Sequence, residues 1–167
     1  MPPRPKPDLD KIRQQCKKLV SRRALVSAGA AVVPIPGLDI GTDVAILMKL
    51  LPAINEKFAL TPSQIEELSP DLQKIVIVGG ATMGLGLIGK ALTTDRIIAL
   101  LLRLGAKRIA TKSMVKYVPF IGSAISASIS YYLLRKVGHA HINECYAVAR
   151  KIELQKARAQ AEHSTLA

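Results

Sequence analysis

The N-terminal part of the chain has the spacing of an amphipathic helix. Its apolar side chains recur every three or four positions, at Leu9, Ile12, Cys16, Leu19 and Val20. Asp8 precedes them, and aspartate is a favoured residue for capping the start of a helix. The pattern predicts a first helix from Asp8 to about Val32. Basic residues occupy much of the remaining circumference, so we expect this helix to be cationic as well as amphipathic.

Two Pro/Gly segments divide the apolar part of the chain. The first, Val33-Pro34-Ile35-Pro36-Gly37, combines prolines, which have no N–H to donate, with a glycine that permits a sharp reversal. A second apolar helix is predicted from about Leu38 to Phe58, interrupted or bent near Pro52. The pattern returns at Val118-Pro119-Phe120-Ile121-Gly122, before an apolar helix that ends near Val137. The predicted hairpin breaks are therefore Pro34, Pro36, Gly37, Pro119 and Gly122.

Helix start signals fill the region between these two segments. Thr61-Pro62-Ser63-Gln64 is a capping box with proline at the first helical position, and it predicts a short acidic helix. Ser69-Pro70-Asp71 predicts a longer helix that reaches about Leu92. Thr94 or Asp95 is expected to cap another helix, which runs to about Lys112. The last predicted element is a basic amphipathic helix from about His139 to Gln160.

No stretch of the chain shows convincing strand alternation, so the predicted class is all-α. We expect a helical bundle built from two Pro/Gly-broken apolar hairpins, with a basic N-terminal helix and a basic amphipathic C-terminal helix. Residues 1–8 are rich in proline and are predicted to form an extended arm. Residues 9–160 are predicted to form a single helical domain, and residues 161–167 a frayed tail.

Composition adds a strong preference for anionic partners. The formal net charge is +12 and the pI is about 10.0, whereas only 4% of the 167 residues are aromatic. Such a charge suits an anionic membrane, a nucleic acid or an acidic protein. Proteins that bind RNA or single-stranded DNA usually stack the bases on aromatic side chains, so nucleic acid is the least favoured of the three partners. The two cysteines are too few for a disulfide scaffold and predict free thiols.

One glycine-rich segment imitates a nucleotide-binding motif. Gly84-Leu85-Gly86-Leu87-Ile88-Gly89-Lys90-Ala91 contains G-x-G-x-x-G and resembles a phosphate-binding loop. Such a loop needs a Ser or Thr hydroxyl to hold Mg²⁺, and Ala91 stands in that position. A close helix contact through Gly80-x-x-x-Gly84 is the simpler interpretation.

Other candidate reactive groups are equally incomplete. His141 and Cys145 lie four positions apart on one helical face, but no second cluster completes a metal site. Asp39 and Asp43 have the same spacing, and we expect them to cap a helix or pair with a basic residue. We therefore predict no enzyme, no metal and no cofactor.

The apolar segments raise the question of a membrane. The charge-free window from Tyr117 to Leu134 reaches the length of about 18 residues at which a transmembrane helix becomes plausible. Shallow association with a bilayer and burial in the core of a soluble bundle both stay open. In either membrane form we expect the following basic residues to contact lipid headgroups: Arg13, Lys17, Lys18, Arg22 and Arg23.

The two Pro/Gly segments also carry a family resemblance. Lys17-Lys18-Leu19-Val20-Ser21-Arg22-Arg23, followed by the first break and Asp43-Val44-Ala45-Ile46-Leu47, resembles the C-terminal helical domain of immunity-related GTPases. Val118-Pro119-Phe120-Ile121-Gly122-Ser123 resembles the second signature of that domain. Bacterial YcjF-like and EcsC-like membrane domains have similar helical hairpins. The resemblance implies a helical module that works beside membranes. The phosphate loop and switch regions of the GTPase are not in this sequence, so it does not imply nucleotide hydrolysis.

These observations favour a non-enzymatic, membrane-associated helical protein. We expect it to bind or insert into an anionic bilayer on the cytoplasmic side of a membrane, and to act through a protein partner such as a separately encoded GTPase. A homo-oligomer is compatible with the same features. The alternative is a soluble helical interaction module that binds a GTPase or a component of a toxin–immunity pair.

Overall fold

In a computed structural model of the chain, the structure describes residues 8–31, 38–82, 88, 93–109 and 119–165. All regular secondary structure in these ranges is helical, which confirms the predicted all-α helical bundle. The helices, in chain order, are α1 Leu9–Ala31, α2 Leu38–Lys57, α3 Pro62–Glu66, α4 Pro70–Thr82, α5 Thr94–Ile109 and α6 Pro119–Thr165.

Helix α1 begins where its capping residue predicts. The Asp8 carboxylate accepts a hydrogen bond from the Lys11 N–H at 3.0 Å, which satisfies one of the N–H groups that have no partner within the helix. Its buried stripe consists of residues three or four apart: Cys16, Val20, Ala24 and Ser27. This stripe is the side of α1 that packs against the rest of the protein.

Helix α2 continues through Pro52, so of the two effects predicted for this residue, an interruption or a bend, the interruption is wrong. The Pro52 side chain is exposed, while Leu51 and Ile54 on either side of it are fully buried and hold the helix in place. The helix ends in a Schellman motif. The Leu60 N–H donates to the Asn55 carbonyl at 2.8 Å, and the Ala59 N–H donates to Glu56 at 3.1 Å.

Local capping chemistry determines the starts of the middle helices. The predicted capping box of α3 is present, because the Thr61 hydroxyl accepts from the Gln64 N–H and the Gln64 side chain accepts from the Thr61 N–H. Helix α4 begins at Pro70 as predicted. Helix α5 is capped by Thr93, whose hydroxyl accepts from the Arg96 N–H at 3.5 Å, one position before the predicted cap. The predicted ends of α4 and α5 lie outside the described residues.

Helix α6 is the largest departure from the predicted elements. We expected an apolar helix that ends near Val137 and a separate basic helix from His139, but a single helix of 47 residues covers both. Pro119 is its first residue, where proline is tolerated because that N–H has no helical partner. Gly122 and Gly138 lie inside the helix, so neither breaks it. An internal glycine costs only about 1 kcal/mol, which packing of the long helix can offset.

The described residues belong to two compact units. Unit 1 comprises residues 1–16, 53–90 and 140–167, and unit 2 comprises residues 17–52 and 91–139. In unit 1 the fully buried apolar side chains include Ile54, Leu60, Ile142 and Val148. In unit 2 they include Val20, Leu47, Leu51, Ile97, Leu134 and Val137. Helices α1, α2 and α6 each contribute residues to both units.

Candidate functional site

The basic residues of α1 fall into two groups with different surroundings. Lys18, Arg22 and Arg23 are exposed. Arg13 and Lys17 are half-buried, and both interact with α6. The sequence does not distinguish these five cations, whereas in the structure Lys18, Arg22 and Arg23 are the exposed ones and so the most accessible to an external anion.

Arg13 is held by side chains of unit 1. Its Nη2 donates a hydrogen bond to Asn143 Oδ1 at 2.8 Å, and its guanidinium lies 4.8 Å from the centre of the Tyr146 ring. The Tyr146 hydroxyl donates in turn to the Asp10 carboxylate at 2.9 Å, which raises the pKa of Tyr146. Arg13 therefore connects α1 to α6, and a lipid headgroup would have to compete with these contacts.

Lys17 is half-buried in unit 2, and its charge acts on a histidine of α6. Burial lowers the pKa of His139 on α6, and the positive charges of Arg135 and Lys17 lower it further. His139 is therefore neutral at pH 7, as suits an imidazole that faces two cations. We do not include Lys17 or Arg13 in the candidate binding surface.

The exposed cations of α1 share their side of the helix with exposed apolar side chains. Leu25 is 63% exposed and Val26 is 59% exposed. Lys18, Arg22 and Leu25 follow one another at intervals of four and three, so they project from the same side. Val26 follows Arg22 by four positions and Arg23 by three. We call Lys18, Arg22, Arg23, Leu25 and Val26 the α1 surface.

A buried polar contact fixes the opposite side of α1. The Ser27 hydroxyl donates a hydrogen bond to the carboxylate of Asp43 on α2, and both side chains are buried. Of the predicted carboxylate pair, Asp43 thus joins the first two helices, whereas the side chain of Asp39 lies outside the described residues. Because Ser27 faces inward, Leu25 and Val26 are directed outward.

A second polar group is buried in unit 1, between α2 and α6. Asn55, His141, Glu144 and Cys145, which we call the buried polar cluster, are each at most 4% exposed. His141 Nε2 lies 2.7 Å from Asn55 Oδ1, and because an amide oxygen can only accept, the ring nitrogen donates. Cys145 Sγ donates to the same oxygen at 3.4 Å. His141 Nδ1 lies 3.8 Å from Glu144 Oε2.

The thiol of Cys145 in this cluster stays protonated at neutral pH. Burial raises the pKa of Cys145 far above its ordinary value of 9.0, and the neighbouring Glu144 and Cys16 raise it further. Burial also raises the pKa of Cys16, against the smaller opposing effect of Lys57. Thiols that stay protonated are poor nucleophiles. His141 and Cys145 both contact Asn55 Oδ1, and the described residues contain no group of three or more side chains suited to a metal ion.

Sequence reasoning missed Asn55 and Glu144, although a signal for each is present. Asn55 falls on the apolar side of α2 because Leu51 precedes it by four positions and Phe58 follows it by three. Glu144 follows His141 by three positions on α6. A polar residue in an otherwise apolar helical stripe indicates a buried hydrogen-bonded group.

Unit 1 also contains a cleft of about 390 Å³. Its lining includes the buried apolar residues Phe58 and Ile152 and the charged residues Lys57 and Lys156. Lys156 is paired with Glu153 at 3.2 Å. The volume lies near the lower limit for small-molecule sites, and no side chain combination in the cleft indicates a particular ligand.

Several predicted features fall wholly or partly outside the described residues. These are Pro34, Pro36, Gly37, Tyr117 and most of the glycine-rich segment from Gly84 to Ala91. Gly80 is buried on α4, and a Cβ atom there would lie 3.5 Å from Ile88, an ordinary van der Waals contact, so the close helix contact through this glycine stays a prediction. Within the part of the chain that the structure describes, none of the helices combines the length and the apolar character needed to cross a bilayer.

Comparison with known protein families, with curated proteins and with solved structures finds no match to this chain. The resemblance to the helical domain of immunity-related GTPases stays a prediction.

Proposed function

We propose that this protein binds the surface of an anionic bilayer through the α1 surface. The observation that carries the proposal is the exposure of Leu25 and Val26 directly beside three exposed cations. A solvated basic face needs no large apolar residues, and an ordinary apolar core residue is not exposed. The combination suits the boundary between lipid headgroups and acyl chains.

The cations give the interaction its selectivity for anionic lipid. Each Lys or Arg near a negatively charged membrane contributes about 1 kcal/mol, so Lys18, Arg22 and Arg23 together contribute about 3 kcal/mol. The segment from Lys11 to Ala31 contains no acidic residue that would oppose them. Anionic lipids concentrate in the cytoplasmic leaflet, which makes that face of a membrane the proposed location.

The apolar residues add a contribution that salt does not screen. Transfer of the exposed parts of Leu25 and Val26 out of water is worth about 1 to 2 kcal/mol each. Binding should therefore weaken in high salt, where charges are screened within about 3 Å, without disappearing.

The test is cosedimentation with vesicles of phosphatidylcholine, with and without phosphatidylserine. Replacement of Lys18, Arg22 and Arg23 by Gln should lower the partition coefficient on the anionic vesicles by roughly 100-fold, which corresponds to about 3 kcal/mol. The matched control replaces Arg150, Lys151 and Arg158, three exposed cations of α6, by Gln. The control has the same net charge as the test variant and should bind like the unchanged protein.

A second pair of variants tests the apolar part. Leu25→Gln should weaken binding at both low and high salt, whereas Leu154→Gln, at an α6 leucine that is 53% exposed, should not. If the unchanged protein does not sediment with anionic vesicles at low salt, the proposal is overturned. If the α1 and α6 variants are equally weakened, the α1 surface is not the site.

A further inference from the structure

The α1 surface is polarised along the axis of its helix, and this has consequences for how the helix can enter lipid. In an amphipathic helix that lies flat on a membrane, cations and apolar residues occupy different sides of the helix. Here Lys18, Arg22 and Leu25 project from the same side. They differ in their position along the helix, because the cations come first.

The change from basic to apolar is abrupt. Arg23 is the last charged residue of α1, and the sequence from Ala24 to Leu38 contains no charged side chain. With a rise of about 1.5 Å per residue, Val26 lies about 12 Å further along the axis than Lys18. Gly29 is also exposed and lies on the same side of α1, about one turn beyond Val26.

We propose that α1 enters the bilayer obliquely, with its C-terminal end deepest and Lys18, Arg22 and Arg23 at the level of the headgroups. A flat orientation would bring Lys18 and Arg22 to the same depth as Leu25 and Val26. Charged side chains below the headgroups are costly, although long ones can extend back toward water. A tilt removes this conflict, because it gives each residue a depth that follows its position along the helix.

This inference rests on the proposed function, and the structure supplies a direct way to test it separately. Gln15, Val26 and Gly29 all lie on the exposed side of α1, and Gln15 and Gly29 are about 21 Å apart along the axis. None of the three carries a charge, so their replacement by Cys preserves the basic residues. A Cβ atom at Gly29 would meet nothing within 4 Å, so a side chain is tolerated there.

The experiment attaches an environment-sensitive thiol fluorophore to Gln15→Cys, Val26→Cys and Gly29→Cys. The native Cys16 and Cys145 are buried, so the introduced thiol should react selectively in the folded protein. Labelling of the unchanged protein measures any background. Leu154→Cys, on α6, serves as an exposed site outside the α1 surface.

On anionic vesicles we expect the emission blue shift, and quenching by lipids brominated deep in their acyl chains, to increase from position 15 to 26 to 29. Position 154 should show neither effect. Equal quenching at positions 15 and 29, or an order that is reversed, would overturn the oblique orientation. Sedimentation of the same labelled samples separates the two proposals. Protein that sediments with the vesicles but shows equal quenching contradicts the oblique orientation and still supports binding to the membrane surface.

Discussion

In unit 1, the side chains of Asn55, His141 and Glu144 lie inside the helix packing, whereas in unit 2 the side chains of Leu25 and Val26 lie on the outside. Both arrangements reverse the usual preference of polar groups for water and of large apolar groups for the interior. The polar groups have partners within the chain, such as the 2.7 Å contact between His141 and Asn55. The apolar pair instead has solvent on its outer side.

This difference separates a structural role from a binding role. A buried polar group that is hydrogen-bonded contributes to the stability and the specificity of packing. An exposed apolar group beside cations contributes little to folding and leaves binding free energy available to a ligand. Changes to the buried polar cluster should therefore alter stability and preserve vesicle binding, and changes to the α1 surface should do the opposite.

The largest expected effect on stability comes from Asn55→Ala. The variant removes the acceptor of the buried His141 N–H and of the Cys145 thiol, and an unsatisfied buried donor costs about 2 to 3 kcal/mol. We expect urea denaturation to show that loss in the free energy of unfolding. Partitioning onto anionic vesicles should not change under conditions in which the variant is folded.

Asn143→Ala provides the matched control. Asn143 is exposed and accepts one hydrogen bond from Arg13, so its replacement should cost about 1 kcal/mol or less. If Asn55→Ala is no more destabilising than Asn143→Ala, the buried polar cluster does not have the structural role that we assign to it.

Two glycines of unit 2 allow the same substitution on a buried and on an exposed side of a helix. A Cβ atom at Gly138 would lie 2.7 Å from both Cγ atoms of Val20, a β-branched side chain whose χ1 is restricted. We expect Gly138→Ala to destabilise by about 1 to 2 kcal/mol, since overpacking exceeds the gain in helix propensity.

Gly29→Ala should have the opposite sign. Position 29 is open, so the higher helix propensity of alanine should stabilise the protein by about 0.5 to 1 kcal/mol. Thermal unfolding of the two variants in parallel measures the contrast. Equal effects would mean that the outward side of α1 is packed against something, which would contradict the exposure of the α1 surface.

Sequence reasoning succeeded where the cause of the structure is local. Asp8 and the Thr61–Gln64 capping box act within one helical turn, and both helix starts were predicted from them. It failed where contacts between residues distant in sequence determine the structure. Nothing in the residues around Gly138 shows that Val20 will pack against it, and so the continuity of α6 was missed.

The same distinction applies to the candidate site. The cations of α1 are visible in the sequence, but the contacts that occupy Arg13 come from Asn143 and Tyr146, which are distant in sequence. Leu25 and Val26 are exposed because Ser27 and Val20, on the other side of α1, face the interior. Apolar spacing alone predicts burial for such residues, so their value as a binding signal emerges only from the structure.

The protonation of Cys145 predicts a pH dependence of stability that is specific to the buried polar cluster. Because the folded protein raises the pKa of this thiol above its ordinary value of 9.0, the thiol of the unfolded chain ionises first. The resulting stability is fully present below about pH 9 and is lost as the pH rises further, by up to about 1.4 kcal/mol per pH unit.

The measurement compares the unfolding free energies of the unchanged protein and Cys145→Ala at several alkaline pH values. The advantage of the unchanged protein should shrink as the pH rises above 9, while contributions from Cys16 and Tyr146 are present in both proteins. A difference that is constant with pH would show that Cys145 ionises equally easily in the folded protein.

A similarly small effect is expected at the turn that positions Asn55. Ala59 follows α2 with a φ of 56°, a left-handed conformation that costs a non-glycine residue about 1 to 2 kcal/mol. Ala59→Gly should therefore stabilise the protein by about 0.5 to 1 kcal/mol, because glycine removes this cost but adds entropy to the unfolded chain. Ala53→Gly, inside α2, should instead destabilise by about 1 kcal/mol.

Chemical denaturation of the two Ala→Gly variants measures this difference in sign. The Leu60 N–H bonds to the main-chain carbonyl of Asn55, so the turn and the buried polar cluster share a residue. A destabilised Ala59→Gly variant would contradict the assignment of strain at this position. If it is stabilised and still shows the alkaline loss due to Cys145, the turn and the cluster contribute to the stability of unit 1 independently.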